Sequence, residues 1–241
     1  MKILLCMKLK NDKLSIDYRR VILSFFKKAL SEIADGEYYE KYYFTPERRN
    51  FTFAVNLPNP KFLKNDITLG KNEFRITVST ADKTTGFVLM SAFIKQVGRT
   101  FPAPLGNVFT LINVSQQGEK LTNTNTVLVK MLSPLCIREH IREGNKDHYY
   151  SVSSDNFEEK ANLIIKEQLI DSGFDKERVE NFSIKPINSK KTVVFHYGNY
   201  IECSLGDFVL SGDKSIINYL LQSGMGSRKS AGFGFPLLIA D

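Results

Sequence analysis

The stretch GDFVLSGDKSIINYLLQSGMGSRKSAGFGFPLLIA, Gly206 to Ala240, contains a strand, a helix and a second strand joined by a glycine-rich loop. Its first residues continue YIECSLGDFVLS, a β-branched and apolar run bounded by turn residues. After Asp213, the residues Ile216, Ile217, Leu220 and Leu221 recur at helical spacing, and Gly224 ends the helix. AGFGFPLLIA then reads as the closing strand. Between helix and strand, Gly224 and Gly226 precede, and Gly232 and Gly234 follow, the adjacent cations Arg228 and Lys229. Glycine adopts φ > 0 freely and lets a backbone approach a partner closely. Cations in such a loop point to a negatively charged partner, with the glycines expected to let the chain lie against it.

Working outward, TVLVKMLSPLCI reads as an earlier strand of the same half. DNFEEKANLIIKEQLI reads as its first helix, opened by the capping pair Asp155 and Glu158. NFSIKPI and KTVVFHYG supply two further strands. The first half shows the same order. MKILLCMKLK is a short apolar strand, and Ile22, Phe25, Phe26, Ala29 and Ile33 make a helical stripe after the expected cap Asp17. NFTFAVNL and NEFRITVST follow as strands, Thr85 to Val97 as a helix stopped by Gly98, and NVFTLINVS as the last strand. The fold class is α+β: two tandem ferredoxin-like βαββαβ units, residues 1–118 and 125–241, joined near the polar QQGEKLTNTNT.

The chain of 241 residues, 42% hydrophobic, is long enough for a substantial core. A net charge of +7 and a pI near 9.2 favour an acidic partner such as nucleic acid or an anionic surface. Cys6, Cys136 and Cys203 have neither disulfide nor zinc spacing, as in a reducing cytosol. The N-terminal apolar run is too short for a signal peptide, and no stretch reaches the roughly 20 apolar residues of a membrane span. A soluble cytoplasmic protein without a membrane partner is expected. A P-loop or dinucleotide reading of the glycines fails, because neither GxxxxGK[ST] nor a strand-GxGxxG-helix context is present.

The GxGxxxxxGxG pattern of Gly224, Gly226, Gly232 and Gly234 resembles the glycine-rich loop of the CRISPR repeat-processing endoribonucleases, members of the repeat-associated superfamily with paired ferredoxin-like domains. FTFAVNLPNP, LSPLCIREH with the later HYY, and GDFVLSGDKSIINYLLQSG resemble further segments of that family, so both halves carry the likeness. The resemblance implies an enzyme that binds CRISPR repeat RNA in the precursor transcript and cuts it without metal or other cofactor. A ribose 2′-hydroxyl would attack the adjacent phosphate, leaving a 2′,3′-cyclic phosphate and a 5′-hydroxyl. The alternative is a non-catalytic RNA-binding subunit of a CRISPR effector complex. Effector subunits are possible further partners under either reading, and the chain is expected to be a monomer or homodimer.

Such chemistry needs a base, an acid and positive charge near the phosphorane. Many family members place a histidine after the first helix; here no histidine precedes His140, and the corresponding loop, DGEYYEKYYF, offers Tyr38, Lys41 and Tyr42. Two arrangements stay open. In one, Lys41 supports the phosphate and Tyr38 or Tyr42 exchanges a proton or positions the ribose. In the other, His140 reaches across from the second domain. His148 and His196 read as structural. Arg48 and Arg49 in PERRNF, and Arg228 and Lys229 within the glycine loop, are the candidate phosphate contacts, with Arg138 and Arg142 as lesser ones.

Overall fold

A computed structural model describes residues 1–45 and 49–241. The first half runs β1 (Lys2–Leu9), β2 (Lys13–Ser15), α1 (Tyr18–Ser31), a 3-10 turn (Ala34–Gly36), α2 (Glu37–Phe44), β3 (Thr52–Asn56), β4 (Lys61–Phe62), β5 (Asp66–Thr68), β6 (Glu73–Ser79), α3 (Lys83–Ile94), β7 (Thr100–Ala103) and β8 (Asn107–Gln117). The second half runs β9 (Thr126–Met131), β10 (Ile137–Ile141), β11 (Lys146–Tyr150), α4 (Phe157–Asp171), α5 (Lys176–Glu180), β12 (Ser183–His196), β13 (Asn199–Ser211), α6 (Lys214–Ser223) and β14 (Pro236–Ala240).

The principal sheets are antiparallel, in the orders β3-β6-β1-β8-β7 and β12-β13-β9-β14. Each keeps the split βαβ order, with the first strand of the unit central and the last beside it. On β1, Ile3, Leu5, Met7 and Leu9 alternate inward. They meet the buried stripe Ile22, Phe25, Phe26, Ala29 and Leu30 of α1. Phe26 anchors this layer, its ring centroid 4.9 Å from Phe93 of α3 and 5.2 Å from Phe53 of β3. A second core forms under the other sheet, from Ala161, Ile165 and Leu169 of α4 and Ile216, Ile217 and Leu220 of α6.

Several local expectations are corrected. DGEYYEKYYF is not an open loop. Ala34, Asp35 and Gly36 all take positive φ, turning the chain into α2, whose Tyr42 is buried. NFSIKPI and KTVVFHYG fuse into one strand, β12, because a register shift at Pro186/Asn188 lets the ladder pass the proline. The Asp155–Glu158 capping pair does not form; α4 starts after Asn156 without a side-chain cap. Asp17 does not cap α1 either, since its Oδ2 accepts a 3.2 Å hydrogen bond from the backbone N–H of Tyr197 in the second half. α3 starts two residues before Thr85, where Asp82 accepts from the N–H groups of Thr84 and Thr85, both at 3.1 Å. Cys136 and Cys203, distant in sequence, are buried neighbours. A hydrogen bond between the thiols, together with burial, pushes Cys203 far up.

Candidate functional site

The glycine-rich loop is a joint between the halves. Thr52 Oγ1 on β3 donates to the Phe233 carbonyl at 2.8 Å, and the N–H of Ala81 donates to Ser223 Oγ at 3.2 Å. The buried Arg19 of α1 donates from Nε to the Gly232 carbonyl at 3.3 Å, its guanidinium 5.3 Å from the Phe233 ring centre. From α4, Gln168 clamps the loop twice: Nε2 donates to the Gly224 carbonyl and Oε1 accepts from the N–H of Gly226, both at 2.9 Å. A Cβ on Gly232 would fall 2.6 Å from the Phe53 ring, and one on Gly226 2.6 Å from the Cys136 carbonyl oxygen.

The reason for the glycines therefore differs from the expected one. Gly224, Gly226, Gly232 and Gly234 are buried, and their close approach is to the protein itself. The surface of the loop is its tip, Ser227 to Ala231, where Arg228 sits at φ 56°, a left-handed conformation uncommon for a residue with a side chain.

The tip borders a cleft of about 910 Å³. Arg49 lines it from the first half, and Arg138, His140, Arg142, Arg228 and Lys229 line it from the second. Glu167 and Asp171 supply the acidic part of the wall. Arg49 stacks over Tyr43 of α2, 4.5 Å from its ring centre. Such a concentration of cations around open volume suits a phosphate backbone.

Behind this wall, the β10–β11 hairpin sets His140 directly opposite Asp147, and Arg138 opposite Tyr149. His140 Nδ1 lies 2.9 Å from Asp147 Oδ1. Arg138 Nη1 donates to both carboxylate oxygens, at 3.2 and 3.1 Å. The Tyr149 hydroxyl, at 3.1 Å, and Arg228 Nη2, at 3.0 Å, donate to Oδ2. Burial pushes the Asp147 carboxyl up, but hydrogen bonds from His140, Arg138 and Tyr149, with the Arg138 charge, more than offset it and hold the group well below the usual carboxylate range. Arg228 also donates to the Tyr149 hydroxyl at 2.8 Å.

The structure thus brings His140, Arg49, Arg228 and Lys229 together around one cleft, with Arg138 and Arg142. Tyr38, Lys41 and Tyr42 do not line it. Lys41 lies on α2 near Asp82, whose carboxyl its charge helps to lower. Tyr38 packs, partly buried, against the first core. Tyr42 is 7% exposed, with its hydroxyl 2.9 Å from Thr85 Oγ1, and burial raises its pKa; that placement speaks against proton exchange with a substrate. Arg48 lies outside the described residues. His196 is buried between the halves, 3.5 Å from Asp17, and burial with the nearby charges of Arg19, Arg228 and Arg20 lowers it to about 4. His148 packs edge-on against Tyr150. Sequence reasoning passed over Asp147, Tyr149, Gln168 and Arg19. Asp147 and Tyr149 had a usable signal in the Gly144–Asn145 turn, both residues at positive φ, which fixes the hairpin register.

Comparison with known proteins agrees with this architecture. The family described as "CRISPR associated protein Cas6, C-terminal" matches residues 116–236, half of the chain. The chain belongs to the Cas6 family. Among solved structures, it resembles one titled as the characterization of a Cas6-related gene from Pyrococcus furiosus, with a TM-score of 0.83 and 18% identity over 99% of this chain and 98% of that one. It also resembles one titled "An RAMP protein binding different RNA substrates", with a TM-score of 0.81 and 19% identity over 99% of both chains. A Cas6 product complex matches with a TM-score of 0.72 and 16% identity over 99% of this chain and 100% of that one. At these identities the likeness is one of fold, and it agrees with two ferredoxin-like units. No curated protein matches the sequence. Cas6 membership supports a role in processing CRISPR repeat RNA. Among the described residues no helix is long and apolar enough to cross a membrane.

Proposed function

We propose that this Cas6 protein, with residues 1–118 and 125–241 as its domains, is a metal-independent endoribonuclease that binds CRISPR repeat RNA in the interdomain cleft and cuts it. The observation that carries this reading is the convergence of His140 with Arg49, Arg138, Arg142, Arg228 and Lys229 around one cleft. RNA lies with a phosphate among these cations. His140 takes the 2′-hydroxyl proton on the ring nitrogen that Asp147 does not engage. The 2′-oxygen forms a bond to phosphorus as the bond to the 5′-oxygen breaks. The leaving 5′-oxygen takes a proton from solvent water and His140 gives up its extra proton to the resulting hydroxide, so the products are a 2′,3′-cyclic phosphate and a 5′-hydroxyl. A positioned base contributes about 10²- to 10⁴-fold to such a step, and the surrounding cations stabilise the extra negative charge on phosphorus.

The missing early histidine favours a second reading, a non-catalytic RNA-binding subunit. Single-turnover cleavage of labelled repeat RNA in excess EDTA separates the two. Under the first reading cleavage proceeds, and a 2′-deoxy substitution upstream of the cut abolishes it. His140→Ala lowers the rate at saturating RNA by about 10²-fold or more, whereas Lys41→Ala has a smaller effect. Binding without cleavage supports the second reading. A reaction that stops in EDTA and returns with magnesium overturns the transesterification mechanism. A rate lost in Lys41→Ala and kept in His140→Ala moves the chemistry to α2.

A further inference from the structure

We propose that Asp147 is a positioning residue that fixes the proton on His140 Nδ1 and holds Arg228 beside it, so that one carboxylate sets both the base and a phosphate-binding cation. The inference rests on the reading of His140 as the base, but it concerns a different residue and has its own readout.

The argument starts from hydrogen-bond inventory. An ionised carboxylate only accepts. Asp147 is held ionised and receives four donors, from His140, Arg138, Tyr149 and Arg228. With Asp147 Oδ1 at 2.9 Å, His140 Nδ1 must carry a proton, which leaves Nε2 bare in the neutral ring. The bare nitrogen is the one that can take a proton from a ribose hydroxyl. The hairpin register makes the pair, because His140 and Asp147 are directly opposed across β10 and β11.

The same carboxylate also acts across the joint. Arg228 belongs to the glycine loop, which is packed against the first half by Thr52, Phe53 and Arg19. Its left-handed backbone is unfavourable for a residue with a Cβ, and its side-chain bonds to Asp147 and Tyr149 counter that cost. Asp147 thereby ties the loop tip to the β10–β11 hairpin, and the distance between His140 and Arg228 becomes a property of the fold. Its negative charge also offsets part of the positive charge of Arg138 and Arg228 before RNA arrives. Asp147 therefore favours geometry at some expense of raw phosphate attraction.

That balance gives a signature that simple loss of structure does not. Nitrogen-15 NMR of histidine-labelled protein, without RNA, reads the tautomer of His140 in the wild type, Asp147→Ala and the volume-matched Asp147→Asn. The wild type should show the neutral ring protonated on Nδ1, and Asp147→Ala should shift the proton toward Nε2. Single-turnover cleavage at saturating RNA should fall by about 10²-fold in Asp147→Ala, while repeat-RNA affinity stays equal or tightens because the arginines lose their internal counter-charge. A wild-type ring protonated on Nε2, or a tautomer indifferent to Asp147→Ala, overturns the proposal. So does a parallel loss of affinity and rate in Asp147→Asn with the tautomer unchanged. If the tautomer shifts as expected while His140→Ala cleaves at the wild-type rate, the positioning of the ring stands and the assignment of His140 as base falls.

Discussion

The clamping of the glycine loop can be tested against a matched control inside the same molecule. Gly234 has φ 68°, and an added Cβ would lie 1.9 Å from the Met225 carbonyl oxygen, a backbone atom that cannot rotate aside. The two segments are locked from both directions, because the Met225 N–H donates to the Gly234 carbonyl at 2.9 Å. Gly173, just past α4, has φ 90° with no atom within 4 Å of its added Cβ. Alanine at either position incurs the left-handed penalty of about 1–2 kcal/mol. Only Gly234→Ala adds the steric term, for which forced repacking suggests about 1–3 kcal/mol. A difference of about 2 kcal/mol corresponds to roughly 4–8 °C in Tm for a chain of this length. Thermal melting of both variants by far-UV circular dichroism measures it. If Gly234→Ala melts within about 1 °C of Gly173→Ala, well below that predicted gap, the loop is not clamped and the close approach is relieved cheaply.

Arg228→Ala combined with Lys229→Ala should weaken repeat-RNA binding and flatten its log–log salt dependence, by about 0.7 for each single-strand phosphate that is no longer neutralised; an unchanged slope in a salt titration returns both residues to solvated surface. Tyr42→Phe should leave the cleavage rate at saturating RNA within about twofold, while costing about 1 kcal/mol of stability because Thr85 loses a hydroxyl partner; a rate loss without a melting shift would restore Tyr42 to the chemistry. The lowered His196 should make stability fall with acid: the unfolded chain binds its proton near pH 6.5 and the folded chain only near 4, so the contribution is whole above 6.5 and drains as pH drops toward 4. The fully developed loss is about 3 kcal/mol. Urea melts between pH 7 and 4 should show a shallower acid decline in His196→Leu than in the wild type, and identical declines would remove His196 as the cause.

The halves and their order were legible because their signals are local. Alternation in β1 and the Ile22–Phe26–Ala29 stripe of α1 arise from each segment facing one core, and a linear pattern suffices to show that. α2 was illegible for the opposite reason. EYYEKYYF is rich in residues that also favour strands, and its helix is fixed from outside: Tyr42 is buried against Thr85, and Lys27 and Arg49 lie 4.9 and 4.5 Å from the ring centre of Tyr43. The place of the glycine loop was readable from its spacing, but not what it approaches. Its close approaches to Thr52 and Phe53 cross the joint between the halves, and no periodicity encodes them. The Asp147 cluster is drawn from three separate segments, IREH, DHYY and the tip of the glycine loop; the hairpin register sets the first two against each other, and no linear pattern brings Arg228 to them.

Under the proposed reading, that register also bears on how the two halves divide the work. Two tyrosines of α2 are held in the protonated form as they pack, so the tyrosinate that could act as a base is scarcer: burial raises Tyr42, and burial pushes Tyr43 up to about 12 despite the neighbouring Arg49 charge. Packing that suits α2 as a support for Arg49 therefore disqualifies those two hydroxyls as bases near neutrality. On β10, by contrast, His140 stands at the rim of open volume, with a carboxylate behind it and arginines on both sides. What the fold supplies to this imidazole is orientation, through the Asp147 carboxylate opposite it. The first half contributes Arg49 and the surface on which the glycine loop is seated, and the second half contributes the imidazole and the remaining cations. A cut that requires both walls of the cleft would then depend on the loop's seating against Thr52 and Phe53 as much as on any group touching RNA.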